Sequence, residues 1–235
     1  GSCWAVAGAA AISDQICIGS GGSVNVPISA DDLLSCCKDC GYGCRGGDPL
    51  KACKFWNSNG LVIGSGFYEN EYCKPYEIEP CGTHTDENGK EHDNESRKCG
   101  LNHRTPTCTN SCNNNNYRTP RKLVSFFRKS AYALPANNTL AIQTEIITNG
   151  PVEAAFEVFA DFEHYQSGVY QHTYGDSQGG HAIKILGWGV ENGVEYWLCA
   201  NSWAVEWGDE GFFKIRRGSD ECGIEEYVVA GLAKV

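Results

Sequence analysis

Cys3 stands where a cysteine could act as a nucleophile, at the head of an apolar, alanine-rich run that extends to Ile12. Ser2 is a favourable N-cap residue, so we expect Cys3 in the first turn of a helix. The unpaired N–H groups and the dipole at a helix start favour negative charge, and the thiolate is the form that attacks a carbonyl carbon. The alternative is a cysteine that is buried for packing alone.

Two residues late in the chain could complete a nucleophilic site. His181 follows the pair Gly179–Gly180 at the predicted mouth of a strand, and Asn201 precedes Trp203 after another strand. Taken alone, His181 would be a packed or surface residue, Asn201 a turn residue and Trp203 part of the core. A thiolate, however, needs an imidazole within hydrogen-bond reach, and the imidazole needs a third group to orient it. Together these residues predict nucleophilic catalysis.

The elements that must position these residues divide the chain into two halves. Capping residues and apolar spacing predict helices from Cys3, over Ser29–Leu34, from Asp48–Pro49 to about Gly60, and over Thr139–Thr148. Strands are predicted over Val152–Phe159, Gly168–His172, Ala182–Trp188, Phe212–Arg216 and Tyr227–Val235, with a hairpin turn at Glu191–Val194. Between the halves, residues 73–120 are loop-like, a length that needs disulfides or a function. The pattern predicts an α+β protein.

Composition narrows the class of function. The formal net charge is −10, which argues against nucleic acid or an anionic membrane surface as a partner. No apolar run approaches the ~18 residues of a membrane-spanning helix. Fourteen cysteines indicate an oxidising compartment, and the sequons at Asn94 and Asn137 are compatible with a secretory route.

The sequence resembles papain-like cysteine proteases, and among them the cathepsin B-like group, over essentially its whole length. The matching stretches include Gly1–Trp4, Ala11–Asp14, Asp32–Leu34, Cys36–Cys37, Gly43–Gly47, Gly179–Ile183, Leu186–Gly193, Ala200–Trp203 and Cys222–Glu225. Cys3 and His181 lie 178 residues apart. This family has about 130–150, and we attribute the excess to residues 73–120. The resemblance implies a papain-like fold with a helical, disulfide-rich domain (1–127), an antiparallel, β-barrel-like domain (128–235) and a cleft between them.

The resemblance also implies a mechanism. The Cys3 thiolate would pair with the His181 imidazolium, Asn201 would orient the ring, and Trp203 would shield that hydrogen bond from water. The oxyanion would be bound by the Cys3 backbone N–H and by a glutamine that precedes residue 1 in the family. Because the chain lacks methionine and begins inside the motif, we expect a partial sequence. Without the glutamine, turnover should fall about 10²–10³-fold.

The same resemblance implies which cysteines form disulfides. The implied disulfides are Cys36–Cys108, Cys37–Cys40, Cys73–Cys112 and Cys81–Cys99. Cys17 and Cys44 match positions whose partners lie upstream, Cys3 and Cys222 are expected as free thiols, and the state of Cys53 and Cys199 is open. A rival interpretation takes Cys37, Cys40 and Cys44 as a metal knuckle, but the second ligand pair is missing. We therefore expect no metal and no cofactor.

The resemblance also implies which residues bind the substrate, at the positions that match the family. Gly46 and Gly47 would pair with an extended peptide. The pocket for the penultimate residue, meaning the second residue before the scissile bond, would be formed by Pro49, Ala155, Ala182 and Tyr227; we call it the Tyr227 pocket. Cathepsin B has a glutamate in place of Tyr227, which admits arginine. An aromatic ring cannot compensate a buried guanidinium, so we expect a preference for hydrophobic penultimate residues.

Residues 81–99 correspond to the occluding loop of cathepsin B, on which a His-His pair grips the substrate carboxylate. Here the dipeptide is Thr83–His84, so one histidine remains, within an acidic loop. Carboxypeptidase activity is therefore in doubt, and a more open endopeptidase is expected. The alternative is an acidic, solvated loop tip without a role in binding.

Two other classes of function compete with a peptidase. A catalytically silent papain-fold protein that binds peptides would be expected to lack Cys3, His181 or Asn201, and all three are present. A disulfide-stapled structural domain would leave these residues without a role. The resemblance implies peptide and protein substrates, cystatin-type inhibitors, the protein's own propeptide, a monomer, and a lysosomal or extracellular location.

Overall fold

The computed structural model describes residues 1–80, 82–85, 89–94, 103–120, 125–126 and 129–233. The α-helices within these residues are α1 (Cys3–Gly19), α2 (Ala30–Cys36), α3 (Pro49–Asn59) and α4 (Thr139–Asn149). Three begin at the expected kind of cap, because the side chains of Ser29, Asp48 and Asn138 accept hydrogen bonds from backbone N–H groups of the first turn. No helix among these residues is long and apolar enough to cross a membrane.

Most of the strands lie in the second half of the chain. They are β1 (Leu61–Val62), β2 (Gly82–Thr85), β3 (Glu91–Asn94), β4 (Ser125–Phe126), β5 (Tyr132–Ala133), β6 (Val152–Phe159), β7 (Val169–Tyr170), β8 (Ser177–Glu191), β9 (Val194–Ala200), β10 (Phe212–Arg216) and β11 (Tyr227–Ala230). Seven of them form one sheet in the order β5-β11-β6-β8-β9-β10-β7, in which only the β10–β7 pair is parallel. Within the described residues the edge strands β5 and β7 do not pair, so the sheet is open rather than a closed barrel.

The two larger buried clusters divide most of the hydrophobic side chains between the halves. One contains residues of α1, α2 and α3, including Trp4 and Trp56, together with Ala182 of β8. The other lies on the large sheet around Phe156, Phe162 and Phe213. The division into domains 1–127 and 128–235 stays a prediction.

The Cys36–Cys108 disulfide and a buried ion pair hold the irregular segment, residues 73–120, against α2. The bonds Cys36–Cys108, Cys37–Cys40 and Cys73–Cys112 are present. The expected Cys81–Cys99 bond lies outside the described residues. Lys74 is completely buried, and its Nζ donates to Asp32 Oδ1 at 2.9 Å and to the carbonyl oxygen of Thr109 at 2.7 Å. Cys199 is a buried free thiol, so no disulfide joins it to Cys53.

The structure departs from the sequence-based expectations at a few places. Residues 73–120 contain the hairpin β2–β3, which the loop-like composition concealed. Strand β8 begins at Ser177, so His181 lies inside a strand rather than at its mouth, because the glycines before it pair with β6. The last strand ends at Ala230 instead of continuing to the C-terminus. The hairpin turn at Asn192–Gly193 is confirmed, and both residues have positive φ angles.

Candidate active site

Cys3 is the first residue of α1, and its side chain is half-buried. Ser2 is the N-cap residue, as expected, but its side chain does not cap the helix. Its Oγ instead accepts a hydrogen bond from the Tyr76 hydroxyl at 2.9 Å, so a contact 74 residues away replaces the local one. This hydrogen bond anchors the turn that presents Cys3.

Trp4 ties the same turn to the glycine-rich loop beside it. The indole is buried, and its Nε1–H donates to the carbonyl oxygen of Gly43 at 3.1 Å. Gly47 lies against the indole so closely that a Cβ atom there would come within 2.5 Å of ring carbons. Glycine is therefore required at 47, and the loop carrying Gly46 and Gly47 lies next to the start of α1.

His181 is buried in β8 and is held on two sides. Its Nε2 lies 2.8 Å from Asn201 Oδ1, and the Trp203 ring stacks on the imidazole at a centroid distance of 5.0 Å. Burial lowers the pKa of His181 below 6.5, while the hydrogen bond to Asn201 raises it. The Nδ1 atom is left for a second partner.

Asn201 follows directly after β9 and is oriented by the backbone. Its N–H donates to the carbonyl oxygen of Gly211 at 2.9 Å, and its Oδ1 also accepts from the Ser202 N–H at 2.8 Å. Because that N–H identifies the oxygen of the amide, the proton between Asn201 and His181 belongs to Nε2 of the histidine. The Asn201 Nδ2 is buried without a hydrogen-bond partner among the described residues.

The first helix packs against the strand that carries His181. Lys184 Nζ of β8 lies 2.6 Å from Asp14 Oδ2 of α1, and Ala182 shares a buried cluster with Trp4. Cys3 itself packs against that cluster, so the start of α1 lies against the strand that carries His181.

Comparison with known proteins identifies the family to which the chain belongs. A family model described as papain family cysteine protease matches residues 1–232. The chain belongs to the papain family of cysteine proteases.

Several papain-family members resemble the chain over its whole length. Cathepsin B-like cysteine proteinase 5 of Caenorhabditis elegans is 52% identical over 99% of the chain, and the gut-specific cysteine proteinase of the same organism is 52% identical over 100%. Among solved structures, procathepsin B S9 from Trypanosoma congolense superposes with a TM-score of 0.80, at 35% identity over 100% of the chain. The chain spans 67% of the first two relatives and 69% of the third, and only 60% of cathepsin B-like cysteine proteinase 6 of C. elegans.

The residues predicted to line the Tyr227 pocket are brought together by the strand register. Tyr227 of β11 is paired with Ala155 of β6, and Ala155 is paired with Ala182 of β8. Directly opposed residues point to the same face of a sheet, so the three side chains form one row. Pro49 is buried at the start of α3, and α3 packs against β11 and β6.

The segment predicted to correspond to the occluding loop of cathepsin B is described only in part. Thr83 and His84 lie in β2, and the backbone register places His84 opposite His92 of β3. The structure thus places His84 on a two-stranded hairpin.

Two residues near the site escaped the sequence-based prediction of binding residues. Asp48 was recognised as a helix cap, but its carboxylate also accepts a hydrogen bond from the Tyr227 hydroxyl at 3.1 Å. Tyr76 carried no signal at all, because its role depends on a tertiary contact with Ser2. The described residues contain no cluster of three or more His, Cys, Asp or Glu side chains that could hold a metal ion.

Proposed function

We propose that this chain hydrolyses peptide bonds, with Cys3 as nucleophile, His181 as general base and acid, and Asn201 as the residue that orients the imidazole. The Cys3 thiol proton passes to His181, and the thiolate sulfur attacks the scissile carbonyl carbon. His181 then protonates the leaving amine as the carbon–nitrogen bond breaks. Water hydrolyses the resulting thioester and regenerates the thiol.

The observation that carries this proposal is the hydrogen bond between His181 and Asn201 under the Trp203 ring. The amide oxygen holds Nε2–H, which leaves the Nδ1 side of the ring for the thiol on the neighbouring helix start. A histidine kept only for packing would not need an asparagine fixed by two backbone hydrogen bonds. These contacts support the proposed roles of His181 as base and Asn201 as orienting group.

Peptide substrates should bind through the backbone of Gly46 and Gly47 and place the penultimate residue in the Tyr227 pocket. Two of its walls are alanine methyl groups and one is a phenol, a lining that suits hydrophobic side chains. A fluorogenic series that varies the penultimate residue tests this preference. Faster cleavage after arginine than after valine or phenylalanine would contradict it.

We propose an endopeptidase with weak dipeptidyl carboxypeptidase activity. The dipeptide that should grip a terminal carboxylate contains only one histidine, His84, and acidic residues such as Asp86, Glu87 and Glu91 surround it in sequence. Like charges disfavour the binding of a carboxylate. Matched peptides with free and amidated C-termini should therefore be cleaved at similar rates, and a strong preference for the free acid would overturn the proposal.

We also propose a cellular location and binding partners for this peptidase. The density of disulfides favours a lysosomal or secreted protein. Solved relatives such as procathepsin B S9 are proforms, which supports maturation from a precursor with a propeptide. Cystatin-type inhibitors and a monomeric state are further expectations. The acidic net charge disfavours nucleic acid and anionic membranes as partners.

Covalent labelling separates the peptidase from the silent peptide-binding protein. A peptidyl epoxide should label Cys3 of the full-length, processed protein stoichiometrically, and labelling should abolish cleavage of a fluorogenic peptide. Cys222→Ser is the matched control, because Cys222 is also a half-buried free thiol. Labelling that disappears in this variant, or none at all in the unmodified protein, would contradict the proposed nucleophile.

A further inference from the structure

The Tyr227 hydroxyl reaches out of its sheet and contacts the start of a helix. It donates to Asp48 Oδ1 at 3.1 Å. Asp48 Oδ1 also accepts from the Lys51 N–H at 2.8 Å as the N-cap of α3. Burial and the nearby carboxylate raise the pKa of Tyr227 to about 12, so the phenol stays protonated and remains a donor.

These contacts close one end of the row Ala182–Ala155–Tyr227. The two alanines have small side chains, and Tyr227 is the only bulky member of the row. Its hydroxyl is held by a hydrogen bond to Asp48, the N-cap residue of α3, next to the buried Pro49. The phenol is therefore fixed at its far end, where a free aromatic side chain could rotate away.

We propose that the Tyr227–Asp48 hydrogen bond fixes the end wall of the Tyr227 pocket and thereby selects compact aliphatic penultimate residues over longer or aromatic ones. Asp48 is then a specificity-determining residue that acts through Tyr227. The inference rests on the proposed peptidase function, because it names the substrate class of the same site.

A rival account assigns Asp48 a direct role, in which its carboxylate attracts a basic penultimate residue. The geometry disfavours this role. The same oxygen already accepts two hydrogen bonds, and it faces the positive end of the α3 dipole, which offsets its charge. Geometry and charge can be separated experimentally, because asparagine keeps the acceptor oxygen and removes the charge.

The kinetic test compares the kcat/KM ratio for substrates with valine and phenylalanine as penultimate residue. We expect the unmodified protein to prefer valine by about 10-fold, within the range that pocket size can produce. Tyr227→Phe leaves the helix cap intact but removes the hydrogen bond, and should reduce this ratio to about 2-fold or less. Tyr174→Phe, at an exposed tyrosine, is the matched control and should keep the ratio. An unchanged ratio in Tyr227→Phe would overturn the proposal.

Two variants of Asp48 distinguish geometry from charge. Asp48→Asn should keep the valine-to-phenylalanine ratio within about 2-fold of the original, whereas Asp48→Ala should shift it as Tyr227→Phe does. If Asp48→Asn instead causes a selective loss of cleavage after lysine or arginine, Asp48 acts by charge and the proposal is wrong.

A binding measurement keeps this test independent of catalysis. Cys3→Ser protein, with and without Tyr227→Phe, is titrated with the same two peptides, and the ratio of dissociation constants should shift by about 5-fold. If the ratio of dissociation constants shifts but the unmodified protein has no peptidase activity, the proposed function is wrong and the end wall is supported. If the unmodified protein is active but the ratio does not shift, the end wall is wrong and the proposed function stands. If neither Cys3→Ser protein binds the peptides, the pocket itself is refuted.

Discussion

Asp31 is expected to make the fold more stable at acidic than at neutral pH. The residue lies in α2 and is almost completely buried; its Oδ1 accepts from the Glu77 N–H at 3.2 Å, and its Oδ2 has no hydrogen-bond partner among the described residues. Burial raises the pKa of Asp31 from 3.8 to about 6, the charges of Glu77 and Asp32 add to this, and Lys74 opposes it.

The direction in which stability changes with pH follows from the number of protons bound by the folded and the unfolded chain. Between pH 3.8 and about 6 the folded chain binds more protons at Asp31 than the unfolded chain does, so the fold gains stability as the pH falls. That stability is fully present below about pH 4 and is lost as the pH rises through about 6. The difference between the two pKa values corresponds to at most about 3 kcal/mol at neutral pH.

Asp31→Asn removes the ionisable group and keeps an acceptor for the Glu77 N–H. Urea unfolding, followed by tryptophan fluorescence on protein with Cys3 blocked, should show similar stability for both proteins near pH 4. Near pH 7.5 the variant should be the more stable by up to about 3 kcal/mol. Asp39→Asn, at an exposed carboxylate, is the control and should show no such growing difference. A constant gap between Asp31→Asn and the unmodified protein at every pH would refute the reasoning.

Three further substitutions probe other contacts. Asn201→Ala should lower kcat about 10–100-fold with little change in KM, because the imidazole loses a charge-assisted hydrogen bond; an equal effect on KM would contradict an orienting role. Lys74→Met should cost about 3–5 kcal/mol in urea unfolding because it removes the cation that neutralises the buried Asp32 carboxylate, and adding Asp32→Leu should recover much of the loss. Tyr76→Phe should lower the free energy of unfolding by about 1 kcal/mol and slow epoxide labelling by removing the Ser2 anchor, and an unchanged labelling rate would argue against that anchor.

Local chemistry was enough to predict most of the framework. Ser29 and Asp48 mark helix starts because their side chains accept N–H groups three residues later, a bond that requires only the local chain. The turn at Asn192–Gly193 is predictable for the same reason, since both residues tolerate positive φ angles. Elements whose structure depends on distant partners were missed or misplaced.

The strand that carries His181 shows why such partners matter. Glycines have little intrinsic preference for strands, so Gly179 and Gly180 suggested a turn before a strand. In the fold they pair with Val158 and Glu157 of β6, and this pairing extends β8 back to Ser177. The hairpin β2–β3 was concealed in the same way within a segment of turn-forming residues.

The sequence was enough to predict the residue types of the candidate site, but not the contacts that hold those residues in place. Cys3, His181 and Asn201 were found because nucleophilic chemistry restricts which side chains can serve, and the family resemblance supplied their order. Asp48 and Tyr227 are 179 residues apart, and each has a sufficient local explanation, one as a helix cap and the other as a strand residue. Only the packing of α3 against β11 shows that the cap oxygen also receives the phenol. We therefore expect substrate selectivity to depend on a contact between the two halves of the chain. Exchanging the Tyr227 side chain alone should alter this selectivity while the catalytic residues stay in place.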